Sequence, residues 1–172
     1  MPSWDGTQTH QIPFWAYTDP AVYQRELERL FYRGHWCYVA LEAELPKAGD
    51  FIRTLIGERS VIVVRDADGD TIHVVENVCA HRGMRFCRER QGNRKDFVCP
   101  YHQWSYNLAG DLQGVPLKRG VRQDGQWQGG MPADFNPKDH ALTKLKLAAR
   151  GGVVLASVDG GVESLERFSE EQ

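Results

Sequence analysis

The sequence has 172 residues, of which 41% are hydrophobic and 26% charged, and its 21 Lys and Arg against 23 Asp and Glu give a formal net charge of −2. This length suits one domain with a modest surplus, and the nearly balanced charge argues against a dedicated nucleic-acid or anionic-membrane binder. The sequence shows no apolar run near the roughly 18 residues of a membrane span and no signal-peptide pattern, which predicts a cytoplasmic protein.

Residues 1–42 are predicted to form an N-terminal arm with one helix. Asp19 is suited to the N-cap, Pro20 to the first helical position, and apolar side chains then follow at helical spacing. Gly34 is suited to the C′ position that ends the helix. The first fifteen residues are interrupted by proline and glycine, so they are predicted to be irregular.

The rest of the chain has the pattern of a small antiparallel β domain. An Asp-Gly pair at Gly69 indicates a tight hairpin turn, and another turn follows at Gly110. The stretch 114–141 is rich in glycine, proline and polar residues and is predicted to be a long loop outside the core. Strands are predicted at 36–41, 51–56, 60–65, 71–76, 97–98, 104–107, 145–149 and 153–157. The sequence therefore predicts a mainly β domain over 43–161, followed by a short acidic helix within 162–172.

Two short segments carry the candidate chemistry. The first is Cys79-Ala80-His81-Arg82-Gly83 and the second is Cys99-Pro100-Tyr101-His102-Gln103-Trp104, with seventeen residues between His81 and Cys99. A single zinc ion accepts two Cys and two His, but its usual spacing pairs like with like, whereas here each segment pairs one Cys with one His. Two sulfide-bridged irons suit this division, because one iron can take both thiolates and the other both imidazoles. Buried Cys and His residues at coincidental spacing are the third alternative.

This C-x-H-x17-C-x2-H pattern resembles the Rieske [2Fe–2S] motif. The surrounding segments are similar to the large subunits of aromatic-ring-hydroxylating oxygenases. Two of them, Gly83-Met84-Arg85-Phe86-Cys87 and Gly114-Val115-Pro116, look like the subgroup that acts on salicylate and anthranilate. The resemblance covers nearly the whole chain.

The resemblance implies the cluster ligands and the role of the chain. Cys79 and Cys99 would hold the inner iron, and His81 and His102 the outer one. The chain would then relay electrons from a ferredoxin or reductase fed by NAD(P)H to a mononuclear iron, for O2-dependent hydroxylation of an aromatic acid. Expected contacts are the catalytic domain, neighbouring alpha subunits and a small beta subunit; nucleic acid and membranes are not expected partners.

The residues beside the ligands also bear on the reduction potential of such a cluster. Respiratory Rieske proteins carry an extra Cys in each loop and a Ser that donates to a cluster sulfide, whereas this chain has Tyr101 and Trp104 at two of those places. Fewer hydrogen bonds to the sulfides stabilise the reduced cluster less, so we expect a potential near the low end of the Rieske range, about −150 mV. Trp104 is also expected to shield the cluster.

A basic run lies directly between the two motifs. Residues 82–95 contain six Lys or Arg and one acid, Glu89, in a chain that is slightly acidic overall. One interpretation is a docking rim for an acidic ferredoxin, and the other is a set of structural ion pairs. Cys37 and Cys87 are predicted to be ordinary buried thiols, because neither has a His at ligand spacing. No role is predicted for the remaining histidines, His10, His35, His73 and His140.

The oxygen-activating half of such an enzyme has no counterpart in this sequence. A mononuclear iron needs two His and a carboxylate, and only His140 follows His102. The sequence therefore offers no candidate catalytic residue, and 162–172 is expected to begin a linker towards an absent catalytic domain. A free-standing Rieske ferredoxin and a Cys2His2 zinc-binding interaction module remain the alternatives.

Overall fold

The computed structural model describes residues 12–170, so most of the irregular segment predicted for the first fifteen residues, with His10, lies outside the described part. Two short helices come first, α1 (Trp15–Thr18) and α2 (Pro20–Glu26). The predicted start of the second helix is confirmed, because the carboxylate of Asp19 accepts a hydrogen bond from the N–H of Ala21 at 2.8 Å.

The end of this helical segment differs from the prediction. After α2 the chain continues through a π-helical turn, Leu27–Phe31, which buries Leu27 against the body of the protein. Gly34 was expected at the C′ position, but it lies three residues beyond the last helical residue, where it has a positive φ of 66°. The wider π turn ends the helix earlier than the glycine signal indicates.

Short strands make up most of the remaining regular secondary structure, as the predicted fold class requires. In chain order they are β1 (Cys37–Leu41), β2 (Asp50–Ile56), β3 (Arg59–Arg65), β4 (Ile72–Glu76), β5 (Gln91–Asn93), β6 (Phe97–Val98), β7 (Ser105–Tyr106), β8 (Leu112–Gly114), β9 (Val121–Gln123), β10 (Gln126–Gln128), β11 (Lys146–Arg150) and β12 (Val153–Ser157). A short helix, α3 (Leu165–Glu170), closes the described chain within the predicted acidic segment. None of the helices described between residues 12 and 170 is long and apolar enough to cross a membrane.

The strands form antiparallel sheets of three or four strands. The largest has the order β4-β3-β2-β5, a second has the order β1-β12-β11, and a third has the order β6-β7-β8. Strands β9 and β10 form a separate hairpin. Strand β1 comes from the segment predicted as the arm, yet it pairs with β12 near the end of the chain. The N-terminal segment is therefore joined by hydrogen bonds to the closing hairpin, which consists of β11 and β12.

Strand β3 is buried on both faces and divides the core in two. Ile62 and Val64 pack on the side that holds the two Cys/His segments, whereas Val61 and Val63 pack on the side covered by the β1-β12-β11 sheet. Alternate side chains of a strand point to opposite faces, so one apolar strand serves both cores. The cysteines of the two segments thus share one core with a strand whose five central residues are buried.

The stretch 114–141 was predicted to lie outside the core, but part of it packs against the core. It contains the β9–β10 hairpin and a 3-10 turn, Pro137–His140, and its Val115, Met131 and Phe135 pack against the core on the side of the Cys/His segments. These apolar residues are widely spaced among polar ones, so no periodicity reveals that they converge. The loop is therefore part of the surroundings of the candidate site.

Candidate metal centre

Two loops with the same backbone fold carry the predicted ligands. The first loop, residues 79–84, follows β4, and the second loop, residues 99–104, connects β6 to β7. In each loop the N–H of the cysteine donates to the carbonyl five residues later, at 2.8 Å in the first and 2.9 Å in the second. In each, the N–H four residues after the cysteine donates back to the cysteine carbonyl, at 2.9 and 2.8 Å. The two cysteines therefore occupy equivalent positions.

Both loops need a left-handed backbone conformation at the same place, four residues after the cysteine. Gly83 has φ 70° in the first loop, and Gln103 has φ 56° in the second. Glycine adopts this conformation freely, whereas a residue with a Cβ is strained there. Gly83 therefore allows the turn of the first loop without strain, and Gln103 makes the same turn in the second loop at a cost in strain.

The two cysteines face each other in the interior. Cys79 is 2% exposed and Cys99 is 1% exposed, and Cys79 is close enough to affect the ionisation of Cys99. Burial, and then the neighbouring Cys79, raises the pKa of the Cys99 thiol, while the backbone N–H groups of Tyr101 and His102 act in the opposite direction. Two thiolates here would repel one another without a cation, so a metal is the natural counter-charge.

The two imidazoles lie together on the outer side of the thiols. The ring centroids of His81 and His102 are 4.6 Å apart, and both residues are half-buried. Nδ1 of His81 is buried and has no hydrogen-bond partner among the described residues. Burial, and then the neighbouring His102, lowers the pKa of His81, which favours the neutral form that binds metals. An orphaned buried nitrogen is a group that a metal ion would satisfy.

These residues fit a cluster whose two irons each take two protein ligands. The thiols are paired inside and the imidazoles are paired outside, which is the division that a Rieske [2Fe–2S] cluster requires. Among residues 12–170, no three or more His, Cys, Asp or Glu side chains gather as ligands of one metal ion. A binuclear cluster is compatible with that result, because it needs only two ligands at each iron.

Aromatic rings enclose the imidazoles unequally. Trp104, which is 3% exposed, stacks on His81 with the ring centroids 4.6 Å apart and the planes 11° from parallel. Tyr101 lies against His102 with centroids 3.9 Å apart, yet this tyrosine is 57% exposed. His140, to which no role was assigned, lies edge-on to Trp104 at 5.6 Å. The shielding expected of Trp104 therefore applies to the His81 side, and the His102 side stays more open.

One residue of the site was missed in the sequence analysis. Tyr106 is fully buried on β7; its Oη lies 3.2 Å from Sγ of Cys79 and accepts a hydrogen bond from the N–H of Ala80 at 3.1 Å. Burial, and then the Cys79 contact, raises the pKa of the Tyr106 hydroxyl. Only its position in the sequence could have indicated this role. Tyr106 lies on a strand, seven residues after the ligand cysteine of the second loop, and a side chain there can point inward to the same site. The hydroxyl hydrogen is free to point at the sulfur.

The other cysteines and histidines lie outside the two loops. Cys37 and Cys87 are free thiols whose pKa values are raised, chiefly by burial, and Sγ of Cys87 lies 3.8 Å from the carbonyl of Glu89. His73 pairs with Asp66 at 3.0 Å, on the hairpin far along β4 from the first loop. None of these residues joins the four that the two loops bring together.

A comparison with protein-family models decides the family. The model described as "Rieske [2Fe-2S] domain" matches residues 35–124, which include both loops. The chain belongs to the Rieske [2Fe–2S] domain family. The mainly β fold class, the cofactor and the resemblance inferred from the motif are therefore confirmed for this Rieske domain.

Curated and solved relatives extend the comparison. The Rieske domain is similar to "Salicylate 5-hydroxylase, large oxygenase component" of Ralstonia sp, with 68% identity over 97% of the chain and 39% of that relative. It is 44% identical to "Anthranilate 1,2-dioxygenase large subunit" of Burkholderia cepacia, over 98% of the chain and 38% of the relative. Among solved structures, naphthalene 1,2-dioxygenase from Rhodococcus sp. bound to indole matches with a TM-score of 0.79 and 36% identity, covering 95% of this chain and 35% of that one. The chain thus spans less than two-fifths of these relatives.

Proposed function

We propose that Cys79 and Cys99 hold the inner iron of the [2Fe–2S] cluster, and that His81 and His102 hold the outer iron. The observation that carries this proposal is the division of the four side chains into a buried thiol pair and a half-buried imidazole pair at the tips of two matching loops. When bound, this group takes up and releases one electron at a time, at a potential above that of all-cysteine plant-type ferredoxins.

The surrounding residues prepare the site for that chemistry. Trp104 and the core beneath the loops keep water from the thiol pair, while Tyr106 offers its hydroxyl hydrogen to Sγ of Cys79. The backbone N–H groups of Tyr101 and His102 favour the thiolate form of Cys99, because they act to lower the pKa of its thiol. Donors directed at sulfur favour the state with more negative charge, which is the reduced one.

We further propose that the chain is the electron-transfer part of a ring-hydroxylating oxygenase large subunit in the cytoplasm. The support is its similarity to the large oxygenase components of salicylate 5-hydroxylase and anthranilate 1,2-dioxygenase. Residues 43–161 would form the cluster domain, 1–42 the arm, and 162–172 the start of a linker. Electrons would come from a ferredoxin or reductase and pass to a mononuclear iron elsewhere in the oxygenase, acting on an aromatic acid such as salicylate or anthranilate.

Metal and sulfide analysis of the chain after cluster reconstitution tests the ligand assignment. The expected result is two irons and two acid-labile sulfides per chain, with a Rieske-type electron paramagnetic resonance signal on reduction by dithionite. Cys99→Ser and His102→Ala should each abolish the signal, whereas Cys37→Ser should retain it. A colourless protein with one tightly bound zinc ion would contradict the proposal and favour the zinc-binding alternative.

A further inference from the structure

Trp104, which stacks on His81, is itself in contact with two further rings from the stretch 114–141. Phe135 lies edge-on to Trp104 with the ring centroids 5.9 Å apart and the planes at 78°, and His140 does the same at 5.6 Å and 84°. The rings of Phe135 and His140 stack on each other, with centroids 4.7 Å apart and planes 11° from parallel. Aromatic rings attract one another in these arrangements. Trp104, Phe135 and His140 therefore form an aromatic stack behind one of the two imidazoles.

The backbone that carries the outer rings of this aromatic stack is fixed by its own contacts. The 3-10 turn that ends at His140 is capped by Asn136, whose side-chain oxygen accepts a backbone N–H at 3.2 Å. Two residues after His140, Leu142 is buried in the same core as the ligand cysteines, and its N–H donates to a backbone carbonyl at 2.8 Å. Phe135 is half-buried against that core. Both rings are therefore placed beside Trp104 by an ordered backbone.

The β9–β10 hairpin, which precedes these rings, is closed at its base by two glycines. A Cβ at Gly130 would lie 2.6 Å from the backbone nitrogen of Gly120, so only glycine permits this approach. Directly beside it, the N–H of Met131 donates to the carbonyl of Lys118 at 2.9 Å. The ammonium group of Lys118 lies 5.6 Å from the centroid of the Phe135 ring, where a cation is attracted to the π electrons. The base of the hairpin thus adds a further contact that holds Phe135 in place.

The aromatic stack contacts only one of the two imidazoles. His102 is covered by Tyr101, which is 57% exposed and has no further ring behind it among residues 12–170. His81 lies against Trp104, which is 3% exposed. Nδ1 of His81 has no hydrogen-bond partner among the described residues, so no such bond to this atom fixes the ring. Apart from a bound metal, the orientation of His81 therefore depends on the rings that pack on it.

We propose that His140 is a positioning residue for the ligand His81. With Phe135 it holds Trp104 flat against the imidazole, which fixes the orientation of that ligand and keeps water from it. This inference rests on the proposed function, because it takes His81 as a ligand of the outer iron. Removing the ring of His140 would free Trp104 to turn and would let water approach this iron. Water stabilises the more negatively charged state of the site, which is the reduced one, so reduction would become easier.

The first test measures ligand orientation in the full chain with its reconstituted cluster and isotopically labelled histidine. Pulsed electron paramagnetic resonance of the reduced cluster resolves the nitrogen hyperfine couplings of the two imidazole ligands, and each coupling depends on the orientation of its ring. We expect His140→Ala to change one of the two couplings and to leave the other as in the wild type. A general loosening of both loops would change both couplings and would contradict the proposal.

A redox titration gives the second readout. His140→Ala should raise the midpoint potential, with the equilibrium constant for reduction increasing at least about threefold, which is about 28 mV at 59 mV per tenfold. His140→Phe keeps a ring beside Trp104 and should stay within about 1.5-fold of the wild type, or about 10 mV. The matched control is His35→Ala, which removes a half-buried imidazole that lies edge-on to Phe168 of α3 at 5.8 Å. It should leave the potential and both couplings unchanged.

A second variant keeps the inference testable if His140→Ala assembles no cluster. Phe135→Leu retains apolar volume but not the ring, so it should change the same coupling and raise the potential. Wild-type couplings and potential in His140→Ala, or in Phe135→Leu where the alanine variant holds no cluster, would overturn the positioning role and leave the proposed function standing. Equal changes in His140→Ala and His140→Phe, or in His35→Ala, would overturn it as well, since the ring beside Trp104 would not be the cause. If no cluster assembles in the wild type, the proposed function itself is wrong.

Discussion

Removing one hydroxyl group, by Tyr106→Phe, should lower the reduction potential of the bound cluster. The Oη of Tyr106 lies 3.2 Å from Sγ of Cys79 and also accepts from the N–H of Ala80. A metal-bound thiolate can only accept, so the tyrosine must be the donor once the cluster is in place. The bond gains strength when the cluster takes an electron, because the sulfur then carries more negative charge.

The size of the shift follows from the difference in bond strength between the two redox states. A hydrogen bond contributes about 1 kcal/mol net, and one to a charged group about 1.5–3 kcal/mol, so a redox-dependent difference of about 1–1.5 kcal/mol is expected. For a one-electron couple a tenfold change in the equilibrium constant, about 1.4 kcal/mol, equals 59 mV, so the midpoint should fall by about 40–60 mV. The phenylalanine ring keeps the stacking on Phe86, whose centroid is 5.9 Å away.

A redox titration followed by circular dichroism or electron paramagnetic resonance measures this shift. Tyr38→Phe is the matched control, since Tyr38 is 57% exposed on the surface and its hydroxyl makes no contact with the site. A midpoint for Tyr106→Phe that stays within about 10 mV of the wild type, or rises, would refute the proposed donor role. A shift of equal size in Tyr38→Phe would show that the effect does not come from the hydrogen bond to Cys79.

Three further predictions concern stability and protonation. Gly83→Ala should lower the free energy of unfolding by about 1 kcal/mol, measured by urea denaturation, because φ is 70° and an added Cβ meets no atom within 4 Å, which leaves backbone strain as the cost. Thr71→Val should raise the pKa of Asp68 from about 2 towards its ordinary 3.8 in an NMR titration, because the Thr71 hydroxyl donates to that carboxylate at 2.7 Å. Asn77→Ala should cost about 2–4 kcal/mol, because it leaves the N–H and carbonyl of Cys87 buried and unpaired.

Controls and contrary outcomes follow from the same contacts. Gly160→Ala, at a glycine without a positive φ or a close neighbour, should be nearly neutral, and an equal loss there would remove backbone strain as the cause. Because the pKa of Asp68 is depressed in the folded state, this carboxylate stabilises the folded protein above about pH 4, and the stabilisation is lost as pH falls towards 2. Thr71→Val should make that loss of stability smaller, whereas Thr71→Ser, which keeps a hydroxyl, should leave it unchanged. Ser60→Ala removes only one of the three hydrogen bonds of the Asn77 side chain and should cost clearly less than Asn77→Ala.

Local patterns were sufficient for much of the fold. The N-cap at Asp19, the strongly apolar β3 and the closing hairpin of β11 and β12 are each specified by residues that are close together in the chain. Strand β5 was missed because Gln91–Asn93 is polar and wholly exposed, and it is a strand only because β2 offers an edge for it. A Cβ at Gly92 would lie 3.0 Å from the ring of Phe51, so the glycine permits this close pairing.

The candidate site was likewise predictable from the sequence only in part. The spacing of Cys and His within each loop was visible in the sequence, and the structure buries both thiols and places the two imidazoles side by side. Tyr106 and His140 were not found, because each reaches the site through tertiary packing and neither has a local pattern that marks it. The packing of Phe135 beside Trp104 likewise depends on the course of a long loop with no regular periodicity.

The unequal spacing of the two motifs explains why the outer face of the site is not symmetric. The two loops have the same two backbone hydrogen bonds, but the histidine is two residues after the cysteine in the first loop and three residues after it in the second. Two imidazoles displaced by one residue on matching loops cannot have equivalent surroundings, and here His81 is stacked on buried Trp104 while His102 is covered by exposed Tyr101. The ring that covers the second-loop imidazole is therefore exposed, whereas the ring that covers the first-loop imidazole is buried.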